Sequence, residues 1–145
     1  MERKDVEERL RRARVEFLKW DRLLLELRVN ERSMTHKFAG YLQREFPDWD
    51  VDCEYNRKFD APKRVAWKRV PIDDENAQTV FPDIIVHRRR ESINLLVLEA
   101  KKSGLDDADD RAKLGAFMGN DFQYEFGVLL RFVTEGEGDV LWEYI

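Results

Sequence analysis

Three charged side chains that together could build a metal site, Asp83, Glu99 and Lys101, lie within two segments that are otherwise mostly apolar. The segments cover residues 79–86 and 93–101, and the short polar stretch between them can turn the chain into a β-hairpin. Because side chains alternate across a strand, Glu99 and Lys101 share one face. Carboxylates on such a face suit a hard divalent cation such as Mg²⁺. A neighbouring lysine can orient a metal-bound water or help to deprotonate it.

The register of this hairpin decides whether the two carboxylates meet. A hairpin that is symmetric about Glu91 places Asp83 directly opposite Glu99, and directly opposed residues have Cβ atoms roughly 5 Å apart. Taken singly, a charged residue at a strand end is usually solvated, and Pro82-Asp83 is typical of a turn. The alternation nevertheless brings three complementary groups to one face, which indicates a metal site.

The same residues resemble the signature of a known superfamily. Pro82-Asp83, followed by Glu99-Ala100-Lys101, resembles the motif of the PD-(D/E)XK nucleases, which have the restriction-endonuclease-like fold. The resemblance covers about residues 31–134. It implies an α/β core in which a helix, three strands, a helix and a strand follow one another.

For function, this resemblance implies a nuclease that hydrolyses the phosphodiester bonds of nucleic acid, with DNA as the expected partner. Asp83 and Glu99 would hold the cofactor, Mg²⁺ or Mn²⁺, and Lys101 would position the attacking water. The alternative is a catalytically silent module of the same fold that binds nucleic acid or serves in assembly.

A second helix of the chain adds a further acidic candidate. It is predicted from Glu31 to about Phe46, with Asn30 as its N-cap. Glu31 falls near the centre of its apolar stripe, where a carboxylate is unusual unless it is paired or binds a metal. In the resembled fold an acidic residue on the first core helix often completes the metal site, so Glu31 joins the catalytic and metal-binding set. Glu45 is the second choice, and a first-turn acid favoured by the helix dipole is the other reading of Glu31.

The N-terminal segment, residues 1–28, is predicted to be a long, highly charged amphipathic helix in addition to this core. Its apolar side chains recur at steps of four and three: Val6, Leu10, Ala13, Phe17, Trp20, Leu24 and Leu27. Such a seam can pack on its own domain or join two chains. The predicted assembly is a homodimer through this helix.

Residues 57–78 are predicted to form an insertion with six basic residues and two aromatic residues, Phe59 and Trp67, among them. Such a segment can track phosphates and stack on bases, and a solvated loop has the same composition. The predicted nucleic-acid-binding residues are Arg57, Lys58, Lys63, Arg64, Lys68 and Arg69.

Further along, the four aspartates within residues 106–110 are interpreted as structural acids at the start of a helix that ends near Gly119. Strands are predicted at 126–133 and 140–144.

Composition restricts the class of protein. With 145 residues, 43% of them hydrophobic, the chain suffices for one domain, residues 1–145, whose nuclease-like core covers 31–145. It has no run of about 18 apolar residues and no signal-peptide pattern, so no membrane partner and a cytoplasmic location are expected. Cys53 is the only cysteine, which excludes an internal disulfide and a cysteine-based zinc site. The net charge of −4 neither indicates nor excludes nucleic-acid binding.

Overall fold

A computed structural model describes residues 1–54 and 81–145, together with the backbone of four short strands between them. The helices of this part of the chain are Arg3–Glu26 (α1), Glu31–Glu45 (α2) and Ala108–Met118 (α3). The strands, in chain order, are Asp50–Cys53 (β1), Arg57–Lys58 (β2), Ala61–Pro62 (β3), Arg64–Val65 (β4), Gln78–Thr79 (β5), Ile84–His87 (β6), Asn94–Lys102 (β7), Phe126–Val133 (β8) and Asp139–Tyr144 (β9). Within the described ranges, no helix has the length and apolar character needed to cross a membrane.

Five of the strands form one mixed sheet, in the order β1-β6-β7-β8-β9. β7 and β8 are parallel and are joined through α3, as parallel neighbours require a crossover connection. The other neighbours in this sheet are antiparallel. Strands β2 and β3 form a separate antiparallel pair, and so do β4 and β5. The protein is therefore a mixed α/β fold, and from α2 to β8 its helices and main-sheet strands run helix, three strands, helix, strand.

From Ile84 to Val86 the register of the β6-β7 hairpin is the one predicted from symmetry about residue 91, and it shifts by one residue at His87, which pairs with Asn94. Ile84 pairs with Leu98, and the next positions outward are Asp83 and Glu99. The predicted start of the first strand at Thr79 was wrong for the main sheet, because β6 begins at Ile84 and the β5 backbone pairs with β4 instead.

The sheet is covered on both faces, which explains why its central strands are apolar throughout. Ile84 and Val86 lie in the core formed with α1 and α2, whereas Ile85 lies in a second core formed with α3. In β7 the same alternation places Val97 on the α3 side. Glu99 and Lys101 follow Val97 at steps of two, so they belong to the face that α3 covers.

The seam of α1 packs mainly on its own domain. Four seam residues are fully buried in the core beneath the helix: Val6, Leu10, Ala13 and Phe17. The helix is interrupted at Asp21, which has a non-helical φ of −128° and ψ of 17°. Beyond this break the phase changes, so that Leu25 is fully buried while Trp20 and Leu27 each remain 64% exposed.

The seam of α1 is therefore only partly available to a second chain. Its N-terminal half is occupied by the chain's own core and offers no surface to a second chain. The homodimer stays a prediction, and the exposed apolar residues of α1 and its C-cap that could serve it are Val15, Trp20, Leu23 and Leu27.

Phe17 is the α1 side chain whose removal should cost the most stability. Its ring stacks on Phe132 with the centroids 5.8 Å apart and also contacts Phe38 and Tyr41. Because the ring is fully buried, Phe17→Ala should lower the free energy of unfolding by about 3–5 kcal/mol, measured by urea denaturation.

Val15→Ala is the matched control, since this side chain on the same helix is 56% exposed. It should change stability by less than about 0.5 kcal/mol. Equal reductions in the two variants would mean that α1 is not packed on the domain in this way.

Candidate metal centre

Three carboxyl groups from three elements converge beside the central strands. Asp83 directly precedes β6, Glu99 lies within β7, and Asp110 lies in the first turn of α3. One oxygen of each group lies within 4.8 Å of the others. Two oxygens bound to one Mg²⁺ at about 2.1 Å are at most about 4.2 Å apart. The three groups therefore need no more than a small closure to share an ion.

Asp83 is fixed by the backbone of the neighbouring strand. Its Oδ2 accepts a hydrogen bond of 2.8 Å from the backbone N–H of Ala100. Burial raises the pKa of Asp83, and this effect exceeds the opposing effects of the Ala100 hydrogen bond and the Glu99 side chain. Asp83 is therefore held in place with its second oxygen available for a ligand.

Glu99 is the most deeply buried member of the group, with 1% of its surface exposed. Its Oε2 accepts a hydrogen bond of 3.0 Å from Lys113 Nζ, whereas its Oε1 is buried and has no donor among the described residues. Burial raises the pKa of Glu99 well above its ordinary value, and the charge of Asp83 adds to the rise while Lys113 opposes it.

A buried oxygen without a donor is costly and calls for an explanation. Without a cation, a proton held between Asp83 and Glu99 can satisfy Oε1, since burial and the charge of Asp83 raise the pKa of Glu99. A divalent cation satisfies the same oxygen and removes the carboxylate repulsion as well. The donor set, all oxygen and mostly anionic, suits Mg²⁺ or Mn²⁺.

Lys101 reaches the centre on the same side as α3. Its Nζ forms an ion pair of 3.1 Å with Asp110 Oδ2. Burial alone would lower the pKa of Lys101, but the hydrogen bond and charge of Asp110, with the charges of Glu31 and Asp83, outweigh burial and raise the pKa. Lys101 is thus a firmly protonated cation next to the carboxyl cluster.

Glu31 lies close to the centre but outside the group of three. It belongs to α2, which covers the opposite face of the sheet, and its Oε2 accepts a 3.3 Å hydrogen bond from the backbone N–H of Lys102. Burial raises the pKa of Glu31, and the nearby positive charge of Lys101 opposes this. Glu31 and Asp83 both line a cleft of about 650 Å³ at the N-terminal end of α2. Glu45, the second choice, forms an ion pair with Arg12 of α1 at 2.6 Å instead.

Two residues of the centre, Asp110 and Lys113, were not predicted from the sequence. Asp110 was interpreted as a structural acid at a helix start; in the structure it is buried, pairs with Lys101 and lies in the cluster of three carboxyl groups. The signal was present: Asp110 shares a helix stripe with the buried Leu114 and Phe117, at steps of four and three. For Asp107 the structural interpretation agrees with its contacts, which are to Arg111 and Arg131.

The predicted nucleic-acid-binding side chains cannot be placed beside this centre. All six lie outside the residues whose side chains are described: Arg57, Lys58, Lys63, Arg64, Lys68 and Arg69. Their role stays a prediction from the sequence.

The raised pKa of Glu99 predicts a particular dependence of stability on pH. A carboxyl group with a raised pKa stabilises the fold below its ordinary pKa, and this contribution disappears as the pH rises through the raised value. Without a divalent cation, Glu99→Gln should therefore become more stable relative to the wild type as the pH rises through that window. Thermal unfolding in EDTA at a series of pH values measures the difference.

Asp52 gives an internal contrast for that experiment. Burial tends to raise its pKa, but hydrogen bonds from His87 and Arg89 outweigh burial and lower it to about 2. Its contribution therefore disappears only as the pH falls towards that value, well below the window of Glu99. A stability difference between wild type and Glu99→Gln that does not change with pH would contradict the buried carboxyl group with a raised pKa.

Comparisons with known proteins add no assignment to this geometry. No protein-family model, no curated protein and no solved structure matches the chain.

Proposed function

We propose that this protein is a metal-dependent nuclease that hydrolyses phosphodiester bonds of nucleic acid, with DNA as the expected substrate. One observation carries the proposal: three carboxylate oxygens lie within 4.8 Å of one another, and Glu99, one of the three groups, has a buried oxygen without a donor among the described residues. A carboxyl cluster alone is common. A buried carboxylate oxygen without a donor is uncommon in such a cluster, because the cost of its desolvation is not compensated until a cation or a proton binds.

The arrangement of the elements supports a restriction-endonuclease-like core as part of this proposal. The hairpin that carries Asp83 and Glu99 has the register that places these two residues next to each other. The crossover through α3 to the parallel strand β8 follows this hairpin in the chain. The order from α2 to β8 is the one that the PD-(D/E)XK resemblance implies. The similarity in element order comes with the motif residues at adjacent positions, which is stronger support than either feature alone.

In this proposal Asp83, Glu99 and Asp110 hold Mg²⁺ or Mn²⁺, and Glu31 takes part from the neighbouring cleft, directly or through a water. When bound, the ion would polarise a phosphoryl oxygen and lower the pKa of a water. The surrounding apolar cores, from Val97 on one side to Ala100 on the other, exclude bulk water from Glu99 and strengthen its electrostatic interactions.

Lys101 acts in this proposal as a donor rather than as a base. Burial lowers the pKa of Lys101, but in the ion-free protein Asp110, Glu31 and Asp83 outweigh burial, which favours the protonated form as the starting state. It can donate a hydrogen bond to an attacking water or to a phosphate oxygen, and its charge offsets the negative charge that builds up during attack. Of the two roles that the sequence allowed for this lysine, the proposal therefore keeps orientation of the water and discards its deprotonation.

A second candidate is the silent binding or assembly module, and one observation favours it. Both lysines of the centre already form ion pairs, Lys101 with Asp110 and Lys113 with Glu99. Paired buried charges can persist as purely structural features. They leave Glu99 Oε1 dependent on a retained proton, whereas a bound cation would satisfy this oxygen and also relieve the carboxylate repulsion, so the nuclease is placed first.

Cleavage assays separate the two candidates. The purified chain is incubated with supercoiled, linear and single-stranded DNA and with RNA, in Mg²⁺, Mn²⁺ or EDTA. Cleavage that depends on the metal supports the nuclease. Binding of nucleic acid without cleavage under every metal condition would assign the silent module instead.

The basic insertion should contribute to affinity by neutralising phosphates. Replacing Lys63, Arg64, Lys68 and Arg69 together with glutamine should weaken binding and flatten its salt dependence, by about 0.7–0.9 in log–log slope for each phosphate that is no longer neutralised. Fluorescence anisotropy at a series of salt concentrations measures the slope. The matched control replaces four exposed basic residues of the N-terminal helix: Arg3, Lys4, Arg11 and Lys19. An equal change in both variants would show that only net charge matters.

A further inference from the structure

Lys113 is a fixed positive charge within the candidate metal centre. Its Nζ donates to Glu99 Oε2 at 3.0 Å and to the carbonyl oxygen of Phe81 at 3.2 Å. Its side chain is only 17% exposed. Lys113 follows Asp110 by three residues on α3, so one helix face supplies both a carboxylate and an ammonium. Two acceptors and little solvent access hold this ammonium at Glu99.

Each carboxyl group of the centre has one oxygen engaged by a donor from the chain. The three engagements are Asp83 Oδ2 with Ala100 N, Glu99 Oε2 with Lys113 Nζ, and Asp110 Oδ2 with Lys101 Nζ. One oxygen per group is left for coordination, and these suffice for the protein ligands of a single Mg²⁺ or Mn²⁺, which keeps several waters.

A second metal ion would need more free carboxylate oxygens than this arrangement provides. Paired catalytic ions sit about 3.5–4 Å apart and need a carboxylate that bridges them. Glu99 is central and deeply buried, but its Oε2 faces an ammonium instead of open space. A second divalent cation on that oxygen would meet a like charge in a site with little solvent to screen it.

We infer that Lys113 takes the place of a second metal ion, so that the centre binds one divalent cation per chain. The inference rests on the proposed metal centre and assigns Lys113 as a positioning residue, since it acts through Glu99. It holds Glu99 in one orientation, with Oε1 left for the ion, and it supplies the positive charge that a second ion would otherwise bring.

The test is the stoichiometry of Mn²⁺ binding to the full-length protein, with free Mn²⁺ measured by electron paramagnetic resonance. The wild type should bind one ion at saturation. Lys113→Met removes the ammonium at similar length, frees Glu99 Oε2 and should raise the number of bound ions from one to two. Lys113→Arg keeps the charge and should bind one. Lys19→Met, at an exposed lysine of α1, controls for net charge and should also bind one.

Each outcome decides the inference. Two ions on the wild type, or one ion on a folded Lys113→Met, would overturn it. Circular dichroism checks folding, and Lys113→Gln replaces Lys113→Met with the same expectation where the methionine variant does not fold. A wild type that binds no Mn²⁺ defeats the proposed metal centre itself, whereas a wild type with two ions leaves that centre intact and removes only the role of Lys113.

Discussion

Glu99→Gln is expected to abolish Mn²⁺ binding and to reduce metal-dependent cleavage on the order of a thousandfold or more, the scale for removing a preorganised electrostatic group. Glu99 supplies the buried oxygen that has no donor among the described residues, and an amide in its place carries no charge for the ion. The exchange preserves shape. The amide oxygen can still accept from Lys113, and the amide nitrogen can donate to Asp83, the carboxyl group with which Glu99 interacts in the wild type.

For the same reason, this variant should be at least as stable as the wild type when no cation is present and the pH is above the raised pKa of Glu99. A buried carboxyl beside a second carboxyl is replaced by a neutral group that satisfies both neighbours. If Glu99→Gln loses ion binding and cleavage but keeps or gains stability, the wild-type site reduces the stability of the fold in order to bind the ion. Isothermal titration with Mn²⁺, cleavage rates and thermal unfolding in EDTA provide the three measurements.

Glu91→Gln is the matched control, because Glu91 lies exposed in the turn of the same hairpin. It should leave ion binding, cleavage and stability unchanged. Asp83→Asn should reproduce the loss of ion binding, since it removes the charge of the opposite carboxyl while an amide oxygen can still accept from Ala100 N. Unaltered Mn²⁺ affinity in Glu99→Gln or Asp83→Asn would refute the assignment of the ligands.

Lys101→Met should lower the rate of cleavage by about 10²–10⁴-fold, the range expected for a positioned group that handles protons or charge at the reacting centre. Ion binding should be retained or become tighter, because Lys101 is a cation and its removal leaves Asp110 without a competing positive charge at 3.1 Å. The expected signature is thus the opposite of Glu99→Gln: cleavage is impaired while the metal still binds. Single-turnover cleavage assays and Mn²⁺ titration on the same preparation show whether the two effects separate.

Lys102→Met is the matched control, because it makes the same exchange at the neighbouring lysine. Lys102 Nζ donates to the carbonyl oxygen of Arg28 at 3.3 Å, away from the carboxyl group of Asp110. Its replacement should change the cleavage rate only slightly. If Lys102→Met and Lys101→Met had the same effect, or if Lys101→Met failed to bind the ion, Lys101 would have no specific role in the reaction.

Local rules were sufficient wherever a feature depends on residues close in sequence. The register next to Asp83 follows from alternation and from the assumed symmetry about residue 91, and Ile84 indeed pairs with Leu98. The start of α2 follows from a side-chain cap: Asn30 Oδ1 accepts from the backbone N–H of Ser33 at 2.8 Å. Strand β8 lies where the apolar run predicts it. Each of these signals is confined to a few residues, so no knowledge of the remaining chain is needed.

What the sequence left open depends on which helix covers which face of the sheet. Asp110 and Lys113 join the centre because the crossover between the parallel strands β7 and β8 lays α3 over Glu99 and Lys101. The sequence also left open where the α1 seam packs, since an apolar stripe packs equally well on its own domain or on a second chain. It was settled by contacts with Phe132, more than a hundred residues away. The sequence by itself determined the hairpin that brings Asp83 to Glu99, because alternation and pairing act locally. Only the tertiary structure determined that Asp110 and Lys113 lie beside Glu99. The packing of a helix onto a sheet depends on all the apolar surface that is buried together, which no short segment of sequence specifies.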